Sequence, residues 1–470
     1  MAASISADLV IVGAGPGGYA AAFRAADLGL DVVMVDRGPR LGGVCLHHGC
    51  IPSKALLHAG HLIHQAHSAA AYGLHFAAPR IDTAALESWK QGIIADLADG
   101  IDALAARRRI RVVLGRAHFL DPHQLEIHGE QTTVIAFDHA IVATGSRGVQ
   151  VRDWRLPSGR VMDSYDALHI DPLPENLLVI GGGYIGLELG EVYAALGSRV
   201  HVVELAEGIL PGADRDLAEV LEQRLRQRFV DLQLETKVLC LRDEDDGVAA
   251  SFEGPISAPD TRFARVLVAI GRRPNSDGLG LEGLEVERDD QGFIITDRQR
   301  RSSCPSIFAI GDVAGEPMLA HKAAYEGKIA AEAITGTTAA DDIQAVPAVV
   351  FTDPEVAWCG LSETAAAAQN IEVATARFPW AASGRARTIG ADDGLTKLVY
   401  DPASQRLLGV GIVGHGAGDL IAEAVVACEM GATLEDLARS VHPHPTLSET
   451  LSGAAELGLG SATDLPPKKL

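Results

Sequence analysis

One supersecondary unit is written twice in this chain of 470 residues, and the repetition constrains the fold more than any other feature. The first copy runs from Asp8-Leu9-Val10-Ile11-Val12 into Gly13-Ala14-Gly15-Pro16-Gly17-Gly18, an alanine-rich helical stretch, and Asp31-Val32-Val33-Met34-Val35-Asp36. The second runs from Leu177-Leu178-Val179-Ile180 into Gly181-Gly182-Gly183-Tyr184-Ile185-Gly186, a helix, and Arg199-Val200-His201-Val202-Val203-Glu204. Strand, glycine turn, helix and strand with a terminal acid form the dinucleotide fingerprint. One such motif also fits a plain tight turn. Here the acid stands 18 residues beyond the last glycine in both copies, which two independent accidents would have to reproduce. In each copy the glycines (Gly13, Gly15, Gly18; Gly181, Gly183, Gly186) let backbone amides approach a pyrophosphate at a helix N-terminus. Asp36 and Glu204 accept hydrogen bonds from a ribose diol. The expected class is α/β, with two Rossmann-like dinucleotide-binding domains.

Directly after the first copy, Gly42 to Lys54 reads Gly42-Gly43-Val44-Cys45-Leu46-His47-His48-Gly49-Cys50-Ile51-Pro52-Ser53-Lys54. On an ideal helix, positions five apart are turned by about 140°, so a bridge between Cys45 and Cys50 needs a distorted first turn. Such a bridge is strained and easily reduced, as labile or catalytic disulfides are. Two other readings stay open: a zinc site on Cys45, His47, His48 and Cys50, which lacks a second ligand pair elsewhere, and two unpaired buried thiols. Two dinucleotides with a cysteine pair between them imply an electron relay. The copy adjoining the thiols should hold a flavin, and the second a mobile nicotinamide. Glu204 would repel a ribose phosphate and has no arginine beside it, which favours NAD over NADP.

The length predicts two to four domains. Forty basic against sixty-two acidic residues give a net charge of −22, which argues against nucleic acid or an anionic membrane as partner and favours steering of a basic protein. Six cysteines in so long a chain, four of them (Cys240, Cys304, Cys359, Cys428) widely scattered, do not make a secreted framework and suggest a reducing compartment. The N-terminus reads as neither signal nor transit peptide, and no apolar run reaches the roughly 20 residues of a membrane span. A soluble, cytoplasmic protein is expected. Phe137 to Gly145 reads as a buried strand ending in Ala143-Thr144-Gly145, and Val266 to Ile270 as one ending in Gly271-Arg272-Arg273-Pro274-Asn275. Ile307 to Ile310 runs into Gly311-Asp312, which places a carboxylate at the ligand crevice. The expected divisions are 1–148 (first part of the FAD domain), 149–275 (NAD domain), 276–345 (a central domain completing the FAD site) and 346–470 (an α+β domain, a dimerisation domain by resemblance).

These motifs, with Pro354-Glu355-Val356-Ala357 and His442-Pro443-His444-Pro445-Thr446-Leu447-Ser448-Glu449, resemble the flavin- and pyridine-nucleotide-dependent disulfide oxidoreductases over nearly the whole chain. Within that family the pattern is similar to the members that reoxidise dihydrolipoyl groups. Mercuric reductases would add a C-terminal cysteine pair, soluble transhydrogenases lack the cysteines, and glutathione reductases carry basic residues where this chain has Glu204. The resemblance implies a Cys45–Cys50 redox disulfide and the cofactors FAD and NAD, with no metal. His444 is the implied base, oriented by Glu449, and Lys54 and Glu188 an ion pair near the flavin's reactive nitrogen. Thr144, Gly145, Gly271, Asp312 and Ala320 would border the cofactors, and Tyr184 would gate between the two rings. Glu449 also fits a capping box with Thr446 at a helix over Ser448 to Leu457, and both roles can coexist. His47-His48 departs from the commonest family pattern and is expected to be tolerated on a helix surface; Asp36 stands where glutamate is frequent.

The resemblance further implies a homodimer in which His444 serves the opposite subunit. Its partner would be a lipoyl-bearing acyltransferase or the lipoyl protein of glycine cleavage. The alternatives are another FAD-dependent disulfide reductase of the same fold, or a flavin- and NADH-binding scaffold without turnover.

Overall fold

The computed structural model describes residues 3–255 and 261–466. Strand β1 (Ala3–Val12), helix α1 (Pro16–Asp27) and strand β2 (Val32–Asp36) build the first βαβ unit. Leu9 to Ile11 and Val33 to Val35 are almost wholly buried, because one face of the sheet packs on helices and the other on residues of strands 116–121 and 124–128 and of the segment 279–294, and that is why these strands are continuously apolar. Helices α2 (Gly43–His48) and α3 (Cys50–Ser68) follow, then a long strand β3 (Thr132–Val142). β1 pairs in parallel with β2 and β3, so Val12, Val35 and Val142 align at one carboxyl end. The sheet has seven strands, in the order 111–114, β2, β1, β3, 124–128, 116–121, with a further strand on β3.

The second unit repeats the plan with β4 (Asn176–Ile180), α4 (Tyr184–Leu196) and β5 (Arg199–Val203). Helix α5 (Arg215–Arg228) and strand β6 (Arg265–Val268) follow. Its parallel sheet of five strands places β4 between β5 and β6. The chain enters and leaves this unit through an antiparallel ribbon of Ser146–Gly148 against Arg272–Pro274. The further strand of the first sheet, β7 (Ile307–Ala309), pairs with β3 and is followed by helix α6 (Ala320–Ile334), which packs on α1. Residues beyond 276 thus complete the first sheet. The last unit is an antiparallel sheet of five strands, in which β8 (Ala348–Val350) pairs β9 (Glu355–Gly360), with helices at 417–429, 434–439 and α7 (Glu449–Leu459) against it.

The two glycine turns are superimposable in their constraints. Gly13 and Gly181 have φ of +110° and +112°, and a Cβ there would lie 2.2 Å from the Ala143 carbonyl oxygen and 2.4 Å from that of Ala269. A Cβ on Gly18 or Gly186 would meet the Gly13 or Gly181 oxygen at 1.9 and 2.3 Å. Gly15 and Gly183 are different: nothing lies within 4 Å of a Cβ at either. Gly18→Ala is therefore expected to cost about 1–3 kcal/mol by overpacking, read by denaturant unfolding. Gly15→Ala, at an ordinary φ of −71°, should leave unfolding within about 0.5 kcal/mol of the wild type, yet weaken retention of the first dinucleotide.

Candidate active site

The helix that holds the cysteines is broken between them. Gly49, at φ −150° and ψ −110°, ends α2 and begins α3, so Cys45 sits in one helix and Cys50 in the first turn of the next. A Cβ on Gly49 would meet the Val44 carbonyl oxygen at 3.0 Å and the Cys45 Cα at 3.3 Å, which explains the glycine. The distortion expected of the helix takes the form of a break, and Cys45 and Cys50 stand on either side of a junction of two helices. Both are free thiols. The hydrogen bond from Cys45 brings the Cys50 thiol down to about 7; the Lys54 ammonium adds to this, and burial and Glu188 oppose it. Cys45 is raised, first by the same hydrogen bond and then by burial.

Cys45 and Cys50 line a cleft of about 1150 Å³ that continues along Gly13–Gly17 and Asp36, and past Thr144, Gly145, Tyr184, Asp312 and Ala320. Lys54, one helical turn after Cys50, donates to buried Glu188 Oε2 of α4 at 2.8 Å, so the ion pair joins the two nucleotide units beside the thiols. Tyr184 is the first residue of α4 after the second glycine loop and stands 39% exposed in this cleft. The acids behave alike: Asp36 Oδ2 accepts from the Ala14 amide at 2.6 Å, and Glu204 Oε2 from the Gly182 amide at 2.5 Å. Gly181, Gly183, Gly186 and Glu204 lie outside the cleft lining and form the second cradle.

Around the exit of β3, Thr144 and Asn275 exchange hydrogen bonds at 2.8 and 2.9 Å, and Gly271, at φ +118°, accepts from the Val149 amide at 2.9 Å. Asp312 accepts from the Ser146 hydroxyl at 2.5 Å, which accepts in turn from Arg272 Nε at 2.7 Å. Ser146 escaped the sequence reading; its only local mark is its place directly after Ala143-Thr144-Gly145. The histidines of α2 are anchored rather than merely tolerated. His47 Nε2 donates to the Leu41 carbonyl at 2.9 Å, and His48 stacks on Tyr165 with ring centroids 5.2 Å apart. Among the described residues, the acidic side chains whose ligand atoms converge are Asp214, Asp216 and Glu363, and the Lys397 ammonium pairs with all three.

His444 and Glu449 meet in the last unit, with Nδ1 2.9 Å from Oε1, and the His444 side chain is 80% exposed. The other Glu449 oxygen accepts from the Thr446 amide at 2.7 Å, which is one half of a capping box. The reciprocal half is replaced: the Thr446 hydroxyl bonds to the Pro443 carbonyl and to Ser448. Burial raises the Glu449 carboxyl, but the Thr446 amide and the His444 ring outweigh it and hold the group below its usual range. The pairing is thus present at neutral pH and lost as pH falls through that depressed value. Among the described residues, none beyond Ala323 lines the cleft, so His444 is not brought to the thiols' cleft within one chain.

Both dinucleotides fit these residues. The open space beside Gly15 and Gly183 lies at helix N-termini with free amides, and each acid keeps lone pairs for a ribose. Residues 7–327 match the pyridine nucleotide-disulphide oxidoreductase family, and residues 346–455 match its dimerisation domain. The chain belongs to that family. A dihydrolipoyl dehydrogenase of Vibrio parahaemolyticus is 45% identical over 471 residues, covering 100% of this chain and 99% of its own. One from Halobacterium salinarum is 45% identical, covering 98% of both. The solved structure of LpdA from Mycobacterium tuberculosis aligns with a TM-score of 0.87 at 27% identity, over 96% of this chain and 99% of its own. Within the family, the chain is an enzyme of the dihydrolipoyl dehydrogenase group, a flavoprotein that uses FAD and NAD. Among the described residues, no helix is long and apolar enough to cross a membrane.

Proposed function

We propose that the chain works as a cytoplasmic homodimer that oxidises dihydrolipoyl groups carried by the acyltransferase core of a 2-oxo acid dehydrogenase complex or by a glycine-cleavage lipoyl protein. The observation that carries this reading is the meeting of Cys45 and Cys50 across Gly49, in one cleft with the first glycine loop and the Lys54–Glu188 pair. FAD bound in the cleft supplies the two-electron acceptor, and NAD the hydride acceptor that ends the relay.

His444 of the partner subunit takes a proton from one substrate thiol, because the thiolate is the competent nucleophile. Glu449 orients that imidazole and stabilises its charged form. The thiolate attacks Cys45 Sγ, the Cys45–Cys50 bond breaks, and Cys50 leaves as a thiolate. The second substrate sulfur, deprotonated in turn, attacks the one bonded to Cys45, which closes the lipoyl ring and releases Cys45. The substrate has lost two electrons and two protons, and the cysteine pair has gained the electrons. The pair re-forms its bridge as those electrons pass on. Lys54 holds the Cys50 anion, Glu188 fixes Lys54, and Asp312, Thr144, Gly145 and Ala320 border the flavin site, while Gly271 lies outside the cleft lining.

Steady-state assays test the substrate class: dihydrolipoamide and a dihydrolipoyl domain should be oxidised with NAD far faster than other dithiols, and equal rates with unrelated dithiols would favour a general disulfide reductase. Glu204→Arg should raise the NADP-to-NAD ratio of kcat/KM at least about tenfold, equivalent to about 1.4 kcal/mol. An unchanged ratio would refute the role given to Glu204.

A further inference from the structure

A second cluster of charges lies behind the ion pair, at the seam between α4 and the last unit. Glu188 and Glu191 stand three residues apart on one face of α4, and both are buried. Glu188 Oε1 accepts from the Phe351 amide at 2.9 Å, and Glu191 Oε2 from the Asp353 amide at 2.8 Å. Two carboxylates one turn apart thus grip alternate amides of the segment joining β8 to β9. Arg228, the last residue of α5, closes the grip: it donates to Glu191 Oε1, to the Asp353 carbonyl and to Asp353 Oδ2, each at 2.5 Å. The segment so held places the Phe351 ring under Lys54, with Nζ 4.7 Å from its centroid. Lys54 therefore rests on two things, the Glu188 carboxylate and the Phe351 ring, and both depend on where this segment lies.

We propose that Glu191, Arg228 and Asp353 are positioning residues of the redox site: they pin Phe351, and Phe351 with Glu188 fixes the Lys54 ammonium beside Cys50. The inference rests on the relay described above. A buried ion cluster adds little net stability compared with apolar packing, which leaves placement as its contribution. His61 and His64 of α3 face Asp353 as well; burial lowers both, His64 to about 4, so neither competes as a cation for Asp353 at neutral pH. The titratable groups facing Cys50 itself are Cys45, Lys54, Glu188, Tyr184 and Tyr19.

The test uses the FAD-loaded dimer, reduced by two electrons, and follows the pH midpoint of the long-wavelength absorbance that a Cys50 thiolate gives against the oxidised ring. Arg228→Met combined with Glu191→Gln and Asp353→Asn removes the cluster without stranding a charge, and Phe351→Leu removes the ring alone. Both are expected to raise the midpoint and to cut kcat at neutral pH by about three- to tenfold, with KM for dihydrolipoamide unchanged, a tenfold effect matching one pKa unit. Their combination should add little beyond either, because they act through one path. Arg228→Lys should recover part of the loss. If both variants keep the wild-type midpoint while Lys54→Met shifts it, or if the midpoint falls, the proposal is overturned. A wild-type dimer that shows the band yet does not oxidise dihydrolipoamide would instead refute the substrate assignment, with the positioning result still readable from the midpoint.

Discussion

Cys50→Ser is expected to abolish oxidation of dihydrolipoamide, by at least about a thousandfold in kcat, while the protein keeps its FAD. Serine matches the thiol in size, so the first turn of α3 and the cleft wall survive. It cannot form the bridge to Cys45, and its hydroxyl is not an anion at neutral pH. Steady-state turnover and the flavin-to-protein absorbance ratio measure the two halves of the expectation. Turnover near the wild-type level would remove Cys50 from the relay. In the wild type the anion is favoured by the fold, so it is present above about pH 7 and protonated as pH falls through that value. Activity should decline on that acid limb.

The second large effect is at His444. His444→Gln should lower kcat by about 10²- to 10⁴-fold, the range of a lost general base. The imidazole is exposed in one chain and stands outside the cleft lined by the thiols. Mixed dimers of His444→Gln and Cys45→Ser subunits settle whether it acts across the dimer. If it does, each mixed dimer holds one complete site, and an equal random mixture recovers about a quarter of wild-type activity from two inactive parents. If His444 serves its own subunit, no site is complete and nothing is recovered.

The duplicated unit was legible because each copy carries its marks locally: glycines, two of which in each copy have no room for a side chain, and an acid at a fixed distance. The structure repeats them down to the hydrogen bond, Asp36 to the Ala14 amide and Glu204 to the Gly182 amide. The cysteine pair was legible as chemistry but not as geometry, since helical periodicity alone does not reveal that Gly49 ends one helix and starts another. The Lys54–Glu188 contact spans 134 residues, and only resemblance, not spacing, pointed to it. Phe351, Arg228 and Asp353 had no signal at all, because the contacts that join the 351–353 segment to Glu188, Glu191 and Arg228 each span more than a hundred residues of chain. His47 and His48 are similar: their roles come from a carbonyl and from a tyrosine ring that the local sequence does not place beside them.

The electron path through the thiol pair is tested most directly by mixing the FAD-loaded dimer anaerobically with dihydrolipoamide and then with NAD, while recording spectra on the millisecond scale. A long-wavelength band is expected to rise in the first mixing and to disappear in the second as NADH forms in equal amount. Oxidation of the dithiol with no such band, or a band that NAD leaves unchanged, would contradict a relay through Cys45 and Cys50.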